Sequence, residues 1–89
     1  MISITIELMA AIRNPFASKK RRNELTFASP RLLKEVLREV GFDNKELNHL
    51  IPIVNGTRVK LEECQLKNGD YVFITLPIGG GTNPFGGLF

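Results

Sequence analysis

The residues of this 89-residue chain that could take part in chemistry are concentrated at its C-terminus, and most of them are glycines. The chain ends PIGGGTNPFGGLF, with one glycine cluster at 79–81 and a second at 86–87. Glycine has no Cβ and adopts nearly any backbone angles, so a glycine-rich end can enter a narrow site on another protein. Either this segment is a tail without function, or one glycine cluster becomes the C-terminus after the residues that follow it are removed.

No other part of the sequence supplies a catalytic or metal-binding set. Cys64 is the only cysteine, which excludes an internal disulfide and a cysteine-based zinc or iron–sulfur site. His49 is the only histidine, and no serine or cysteine nucleophile can be paired with it by spacing. We therefore expect both side chains to be structural or solvated, and the chain to be non-catalytic by itself, with no metal and no stably bound cofactor.

The net charge of +3 is unevenly placed. Residues 13–22 hold Arg13 and the run from Lys19 to Arg22, with no acidic residue among them. Such a run could attract nucleic acid, phosphate or an acidic protein surface. A solvated hairpin tip is the favoured interpretation, and nucleic-acid binding is not expected, because no RNP-like aromatic pattern or helix-turn-helix pattern lies nearby.

The elements that must position the tail begin with a strand. Isoleucine or leucine recurs at every second position from Ile2 to Leu8, the period of a strand with one buried face. This alternation is not a secretory signal, and no apolar run approaches the ~18 residues that span a bilayer. We therefore expect a cytoplasmic protein without a membrane segment. A loop at 14–22 then leads to a second strand at 24–28.

A single helix supplies the second layer of the predicted fold. Ser29 and Pro30 are typical of a helix start, and Gly41 is typical of a helix end. Between these two ends, the apolar residues fall on one stripe at helical spacing: Leu32, Leu33, Val36, Leu37 and Val40. Residues 43–50 are predicted to be a polar connection, with at most a short helical turn.

Three further strands complete the pattern. Residues 51–54 form a strand in which Pro52 favours an edge or a strand start. Asn55 and Gly56 predict a hairpin turn into residues 58–61, and a last strand at 71–76 follows the turn at 67–70. One helix crossing a mixed sheet of four to five strands is an α+β, β-grasp (ubiquitin-like) arrangement. The predicted domain covers residues 1–78, and residues 79–89 form a flexible glycine-rich tail.

The C-terminal half resembles the MoaD/ThiS family of ubiquitin-like sulfur carriers. The resemblance rests on the VNG hairpin at 54–56, on the L-x-x-G-D-x-V pattern at 66–72, and on Pro77 followed by Gly80 and Gly81. It extends more loosely over residues 1–81 through the order of the strands. Among the subfamilies, the small subunit of molybdopterin synthase is the most similar in length to Gly81 and in the proline before the tail.

The resemblance implies a function for the glycines. In that family an E1-like adenylyltransferase uses ATP to adenylate the C-terminal carboxylate of the carrier, and sulfur then replaces AMP to give a thiocarboxylate. The implied site is Gly80 and Gly81, and the implied product is sulfur for molybdopterin or tungstopterin biosynthesis. The implied acceptor is the large subunit of molybdopterin synthase or an equivalent enzyme.

The sequence departs from the family pattern immediately after Gly81, where residues 82–89 follow. The Gly81 carbonyl is therefore part of an amide, which cannot attack the α-phosphate of ATP. We expect a peptidase, of the JAMM type in some relatives, to cleave between Gly81 and Thr82. Cleavage after Gly87 is a less favoured alternative, because it lies farther from Pro77.

Other functions stay open at this stage. The carrier could serve another pathway, such as thiamin or cysteine synthesis, or it could be a protein modifier joined to lysines through Gly81. A third possibility is a non-carrier interaction module, whose basic hairpin binds acidic partners or nucleic acid.

Partner docking is predicted next to the tail. By alternation, Tyr71, Phe73 and Thr75 face away from the helix, and exposed aromatic residues beside a tail are typical of a docking surface. Simple cross-strand packing explains their positions equally well. The predicted docking set is completed by the residues that lead into the tail: Pro77, Ile78 and Gly79.

Overall fold

The computed structural model describes residues 1–77, and these form a two-layer fold of one sheet and two helices. The elements in chain order are β1 (Ile2–Leu8), β2 (Arg22–Phe27), α1 (Leu33–Val40), α2 (Asn44–Leu47), β3 (Ile51–Val54), β4 (Thr57–Arg58) and β5 (Tyr71–Thr75). The strands lie in the order β2-β1-β5-β3-β4. β1 and β5 are parallel, and the other neighbours are antiparallel. This mixed sheet with one main helix confirms the predicted β-grasp fold.

The core lies between the inner face of the sheet and helix α1. The alternation of β1 is confirmed, because its isoleucines and Leu8 are buried while the intervening residues are not. On the helix, Leu33, Val36 and Leu37 are buried and Val40 packs at the margin. Burying each such side chain stabilises the fold by roughly 1.5–3 kcal/mol. In the described part of the chain, no helix is long and apolar enough to cross a membrane.

Helix α1 begins three residues later than Ser29 and Pro30 predicted. Its N-cap is Leu32, which provides no side-chain hydrogen bond to the first turn. The reason is a long-range pairing: the Leu33 N–H donates to the Cys64 carbonyl at 2.9 Å, and the Leu66 N–H donates to the Arg31 carbonyl at 2.8 Å. These bonds hold the backbone before the helix in an extended conformation. At the other end, Gly41 is the C-cap, as predicted.

The connection at 43–50 contains a true helical turn. Asp43 and Glu46 form a capping box, in which each side chain accepts a hydrogen bond from the backbone N–H of the other residue. This short helix buries Leu47, and Leu50 follows it into the core. The turn therefore contributes two apolar side chains to the core.

The β3–β4 hairpin differs from the prediction in two ways. β4 has two residues instead of four, and β3 lies inside the sheet between β5 and β4, so that of the two predicted positions for Pro52 the edge is wrong and the start of a strand is correct to within one residue. Pro52 is tolerated there because its carbonyl accepts from Val59 at 3.1 Å, which places its ring nitrogen on the β4 side, beyond the ladder pairs. The last strand, β5, ends at Thr75, one residue earlier than predicted.

Candidate docking surface and C-terminal tail

The start of the glycine-rich tail is positioned by β5. This strand lies between β1 and β3, so its end is held by hydrogen bonds on both sides. After Thr75 the chain continues through Leu76, which is half-buried against the core, to Pro77, which is exposed. The tail therefore leaves from a central strand of the sheet.

Several predicted site residues lie outside the described part of the chain. They are Ile78, Gly79, Gly80, Gly81 and Thr82. The predicted adenylation site, the predicted cleavage site and the tail boundary at 78/79 therefore stay predictions. Three residues lie between Pro77 and Gly81, so the Cα atom of Gly81 can lie at most ~14 Å from the Cα atom of Pro77.

The three docking residues predicted on β5 share the outer face of the sheet, which points away from α1. Val72 and Ile74 are buried on the inner face, whereas Tyr71 is 36% exposed and Phe73 and Thr75 are half-buried. Their predicted orientation is confirmed. Their predicted role in docking is a separate matter and stays a prediction.

Phe73 lies at the centre of a row that crosses the whole sheet on its outer face. The register aligns one residue from each strand in the order Arg22, Glu7, Phe73, Ile53 and Arg58. Phe73 and Ile53 form the apolar part of this row, between Glu7 on one side and Arg58 on the other, and Ile51 extends the apolar part beside Thr75. A half-exposed aromatic centre with a charged rim has the composition of a protein-binding surface.

The outer face also contains contacts within the chain. The Tyr71 hydroxyl donates to Glu7, and the Arg22 guanidinium lies over the Tyr71 ring at 5.9 Å from its centroid. The Thr75 hydroxyl contacts the Met9 sulfur at 3.0 Å. Cross-strand packing, the second interpretation of these positions, is therefore present. It fixes the orientation of Tyr71 and Thr75 on an otherwise open surface.

The VNG and GD motif residues form one hydrogen-bonded cluster beneath the start of β5. The Asn55 side chain donates to the Asp70 carboxylate and accepts from the Tyr71 N–H, both at 2.9 Å. Asp70 also accepts from the Lys67 N–H at 2.8 Å. The sequence marked these residues only as turns. The cluster joins two turns and sets where β5 begins, and the asparagine followed by glycine was the one signal for it.

The basic run is divided between structural and exposed residues. Arg13 forms two hydrogen bonds with Glu46 and one with the Gly41 carbonyl, and Arg21 donates to the carbonyls of Met9 and Ile12. Arg13 is nevertheless exposed, as are Lys19, Lys20 and Arg22, whereas Arg21 is half-buried. The predicted solvated tip is therefore correct for the exposed residues and wrong for Arg21, whose guanidinium group is held by backbone carbonyls.

The isolated Cys64 and His49 do not meet in a reactive set. Cys64 is half-buried, and burial, followed by the nearby charge of Asp70, raises the pKa of its thiol. His49 is exposed. Among residues 1–77, no group of three or more metal-binding side chains comes together.

Similar solved structures include a protein assigned as molybdopterin converting factor, subunit 1, from Pyrococcus furiosus. It has a TM-score of 0.63 and 17% identity, over 88% of this chain and 100% of that chain. SAMP1 from Haloferax volcanii has a TM-score of 0.64 and 21% identity, over 89% of this chain and 99% of its own. The small archaeal modifier protein 1 (SAMP1) from Methanosarcina acetivorans has a TM-score of 0.60 and 20% identity, over 91% and 98% of the two chains.

No protein-family model and no curated protein sequence matches this chain. At these sequence identities, the three structures establish the ubiquitin-like β-grasp fold. That fold is the one implied by the resemblance to the MoaD/ThiS carriers.

Proposed function

We propose that this chain is a non-catalytic, ubiquitin-like carrier that is activated at Gly81 by an E1-like adenylyltransferase. The observation that carries the proposal is the exit of the tail from β5, the central strand of a β-grasp sheet, with Pro77 exposed just before the glycines. A rigid base followed by glycines without Cβ atoms suits a tail that enters a narrow active site. The likeness to a converting-factor subunit and to modifier proteins supports the same class of function.

The chemistry requires a free carboxylate at Gly81. A peptidase, for example of the JAMM type, hydrolyses the bond between Gly81 and Thr82 and removes residues 82–89. In the partner enzyme, the new carboxylate attacks the α-phosphate of ATP and releases pyrophosphate, which gives an acyl-adenylate. A sulfur nucleophile then displaces AMP, and the resulting thiocarboxylate donates sulfur for molybdopterin or tungstopterin synthesis.

A second candidate is a protein modifier, in which a lysine amine of a target attacks the activated Gly81 carbonyl, displaces AMP and forms an amide with Gly81. The observation that favours it is the likeness to two SAMP1 structures, which are modifiers by name. Both candidates begin with the same acyl-adenylate. A sulfur carrier for thiamin or cysteine synthesis would also share that step.

We propose that the outer face of the sheet docks onto the E1-like enzyme and onto the sulfur acceptor. Tyr71, Phe73 and Thr75 lie on the strand that ends at the tail, so a partner that holds this face also fixes the direction of Gly81. Pro77, Ile78 and Gly79 complete the proposed contact. We propose a cytoplasmic E1-like enzyme as the first of these partners.

The test compares three chains with an E1-like enzyme from the same host: the full chain, a chain that ends at Gly81, and a chain that ends at Gly81 with Gly81→Ala. We expect ATP–pyrophosphate exchange with the Gly81-terminated chain only. The full chain has no carboxylate at that position, and the alanine Cβ obstructs the narrow site. Equal exchange by all three chains would contradict activation at Gly81.

A measurement on the protein from its native host tests the processing step. Intact mass spectrometry is expected to show loss of residues 82–89, with or without replacement of one carboxylate oxygen by sulfur. A modifier would instead be found in conjugates with other proteins. A chain that keeps Phe89 under every growth condition would contradict the carrier proposal.

A further inference from the structure

Strand β2 is an edge strand with open hydrogen-bonding groups. Its one neighbour in the described sheet is β1, and the Leu8 N–H donates to the Arg21 carbonyl at 2.8 Å. In an antiparallel pair, only every second residue of a strand directs its backbone N–H and C=O groups to the neighbouring strand. The backbone groups of every second residue after Arg21 therefore also point to β1. The backbone N–H and C=O groups of the residues between them point outward: Arg22, Glu24 and Thr26. Within residues 1–77, no backbone hydrogen bond reaches these outward groups. The edge can therefore accept another strand.

An apolar groove of about 300 Å³ runs beside this edge, between β2, helix α1 and the loop before β2. Its apolar lining consists of Phe16, Ala17, Leu25, Phe27, Val36 and Val40. Leu25 and Phe27 face the helix side but stay half-exposed, whereas Ile4, which pairs with Leu25, is 2% exposed. Helix α1 covers β1 and leaves the inner side chains of β2 only partly covered.

The charge along the groove is strongly asymmetric. At the start of β2, Lys19 and Lys20 are exposed, and neither forms a salt bridge in the described part of the chain. At the other end, Arg31 lies over the Phe27 ring at 5.6 Å from its centroid. Two carboxylates compensate the charge of Arg31: Glu35 at 3.9 Å and Glu39, which is hydrogen-bonded to it. Of the two ends of the groove, the start of β2 therefore carries the positive charge that no carboxylate of the described residues compensates.

The loop that carries the lysines is held in place before any partner binds. Asn14 accepts from the Phe16 N–H and donates to the Lys20 carbonyl, both at 3.0 Å. Asn23 donates to the same carbonyl at 2.7 Å. These bonds fix Phe16 at the groove and the lysines at its end, so binding there orders few additional groups.

We propose that the β2 edge binds an extended peptide segment of a partner protein, with alternating apolar side chains and with carboxylates at one end. The peptide backbone pairs with the outward groups of β2. Its residues opposite Leu25 and Phe27 point into the groove, because directly opposed residues share a face. The carboxylates lie beside Lys19 and Lys20. This site lies on the edge of the sheet and is independent of Gly81 activation.

A second copy of this chain is a poorer occupant of the same edge. Symmetric antiparallel pairing of two β2 strands that brings their outward groups together, with Arg22 opposite Thr26, places the two Glu24 side chains directly opposite each other. Like charges in that position are destabilising.

The test is a ¹H–¹⁵N NMR titration of the full chain with a synthetic peptide of about ten residues, in which valines alternate with threonines and aspartates follow at one end. We expect saturable chemical-shift changes at Phe16 and along Leu25–Phe27, which includes Thr26. A matched peptide with lysines in place of the aspartates is expected to bind about tenfold more weakly at low salt, and the difference is expected to shrink as salt rises.

Three changes in the protein locate the site. Ala17→Trp fills the groove and should abolish binding, whereas Ala10→Trp, at an exposed turn outside the groove, should not. Thr26→Pro removes an outward N–H and should weaken binding about tenfold relative to Thr26→Val. The joint change Lys19→Glu and Lys20→Glu should reverse the preference between the two peptides. NMR spectra of each free variant check that the fold is retained.

Three results would overturn the proposal. The first is the absence of saturable shifts with the aspartate peptide. The second is shifts centred on Tyr71 and Phe73 instead of β2. The third is concentration-dependent association of the free chain through β2, measured by sedimentation, which would identify a second copy as the occupant.

Discussion

Arg13 and Glu46 are joined by two hydrogen bonds of 2.6 and 2.7 Å, although 33 positions separate them along the chain. Arg13 also donates to the Gly41 carbonyl at 2.8 Å and lies over the Phe42 ring at 5.8 Å from its centroid. One side chain thus connects the loop after β1 with the end of α1 and with α2. This pairing holds the two helices and the loop after β1 together.

The Arg13–Glu46 pair predicts a pH-dependent stability. The hydrogen bond from Arg13, followed by that from the Asp43 N–H, lowers the pKa of Glu46 to about 2, whereas an unfolded glutamate titrates near ~4.3. The folded pKa is the lower one, so ionised Glu46 stabilises the fold above about pH 4, and this contribution is lost as the pH falls to about 2. Glu46→Gln, which keeps a capping side chain, should lower the free energy of unfolding at pH 7 by up to about 1 kcal/mol.

Urea unfolding at pH 7 and near pH 2 checks this prediction. The penalty of Glu46→Gln should be present at pH 7 and should disappear near pH 2, where the wild-type carboxyl is also becoming neutral. Glu62→Gln is the matched control, because Glu62 is exposed and forms no ion pair in the described part of the chain. An equal penalty at both pH values would show that the charge of Glu46 contributes nothing.

We expect an alanine substitution to destabilise the fold more at Gly41 than at Gly69. Gly41 has a φ of +131°, and a Cβ there would lie 3.0 Å from the Pro15 Cβ. Gly69 has a φ of +89° but open space around it. Gly41→Ala should lower the free energy of unfolding by roughly 1–3 kcal/mol, and by more than Gly69→Ala, which carries the backbone strain alone. Thermal unfolding of the two variants measures the difference, and equal losses would exclude the contact with Pro15 as a cause.

Asn55 has two features whose contributions to stability can be measured separately: a positive φ and the hydrogen bonds of its side-chain amide. Its φ is +51°, and its amide bridges Asp70 and the Tyr71 N–H. Asn55→Gly tolerates the backbone angle but removes both hydrogen bonds, so it should cost about 1–3 kcal/mol. Asn55→Ala should cost more, because alanine is also strained at positive φ. Urea unfolding ranks the variants, and a glycine variant as stable as wild type would show that the cluster does not stabilise the fold.

The elements that the sequence predicted well are those whose signal is local. The alternation from Ile2 to Leu8 and the apolar stripe on α1 each lie within one element, so the pattern can be read without knowing the neighbours. The helix start at Ser29 was wrong because backbone bonds to residues 64–66 hold that segment extended. A pairing across about thirty-five residues leaves no trace in the local sequence.

The candidate surface was predictable only in part, for the same reason. Alternation placed Tyr71, Phe73 and Thr75 on the outer face, but the row from Arg22 to Arg58 depends on strand order and register. The basic run looked uniform in the sequence, and only the fold gives Arg13 and Arg21 their partners. What the outer face binds depends on a second protein, and the sequence of one chain does not contain that information.

We expect the activating enzyme to contact the carrier at Phe73. It is the aromatic centre of the outer row, next to the strand end that leads to the tail. In a chain that ends at Gly81, Phe73→Ala should lower kcat/KM for ATP–pyrophosphate exchange by roughly tenfold or more, because central aromatic residues dominate binding surfaces.

Val59→Ala is the matched control: Val59 is also a half-buried apolar residue but lies in the segment after β4, beyond the outer row. It should leave the exchange rate unchanged. Unfolding measurements on both variants separate a loss of binding from a loss of folded protein. Equal kcat/KM values for the two folded variants would exclude the outer face as the docking surface and leave recognition to the tail alone.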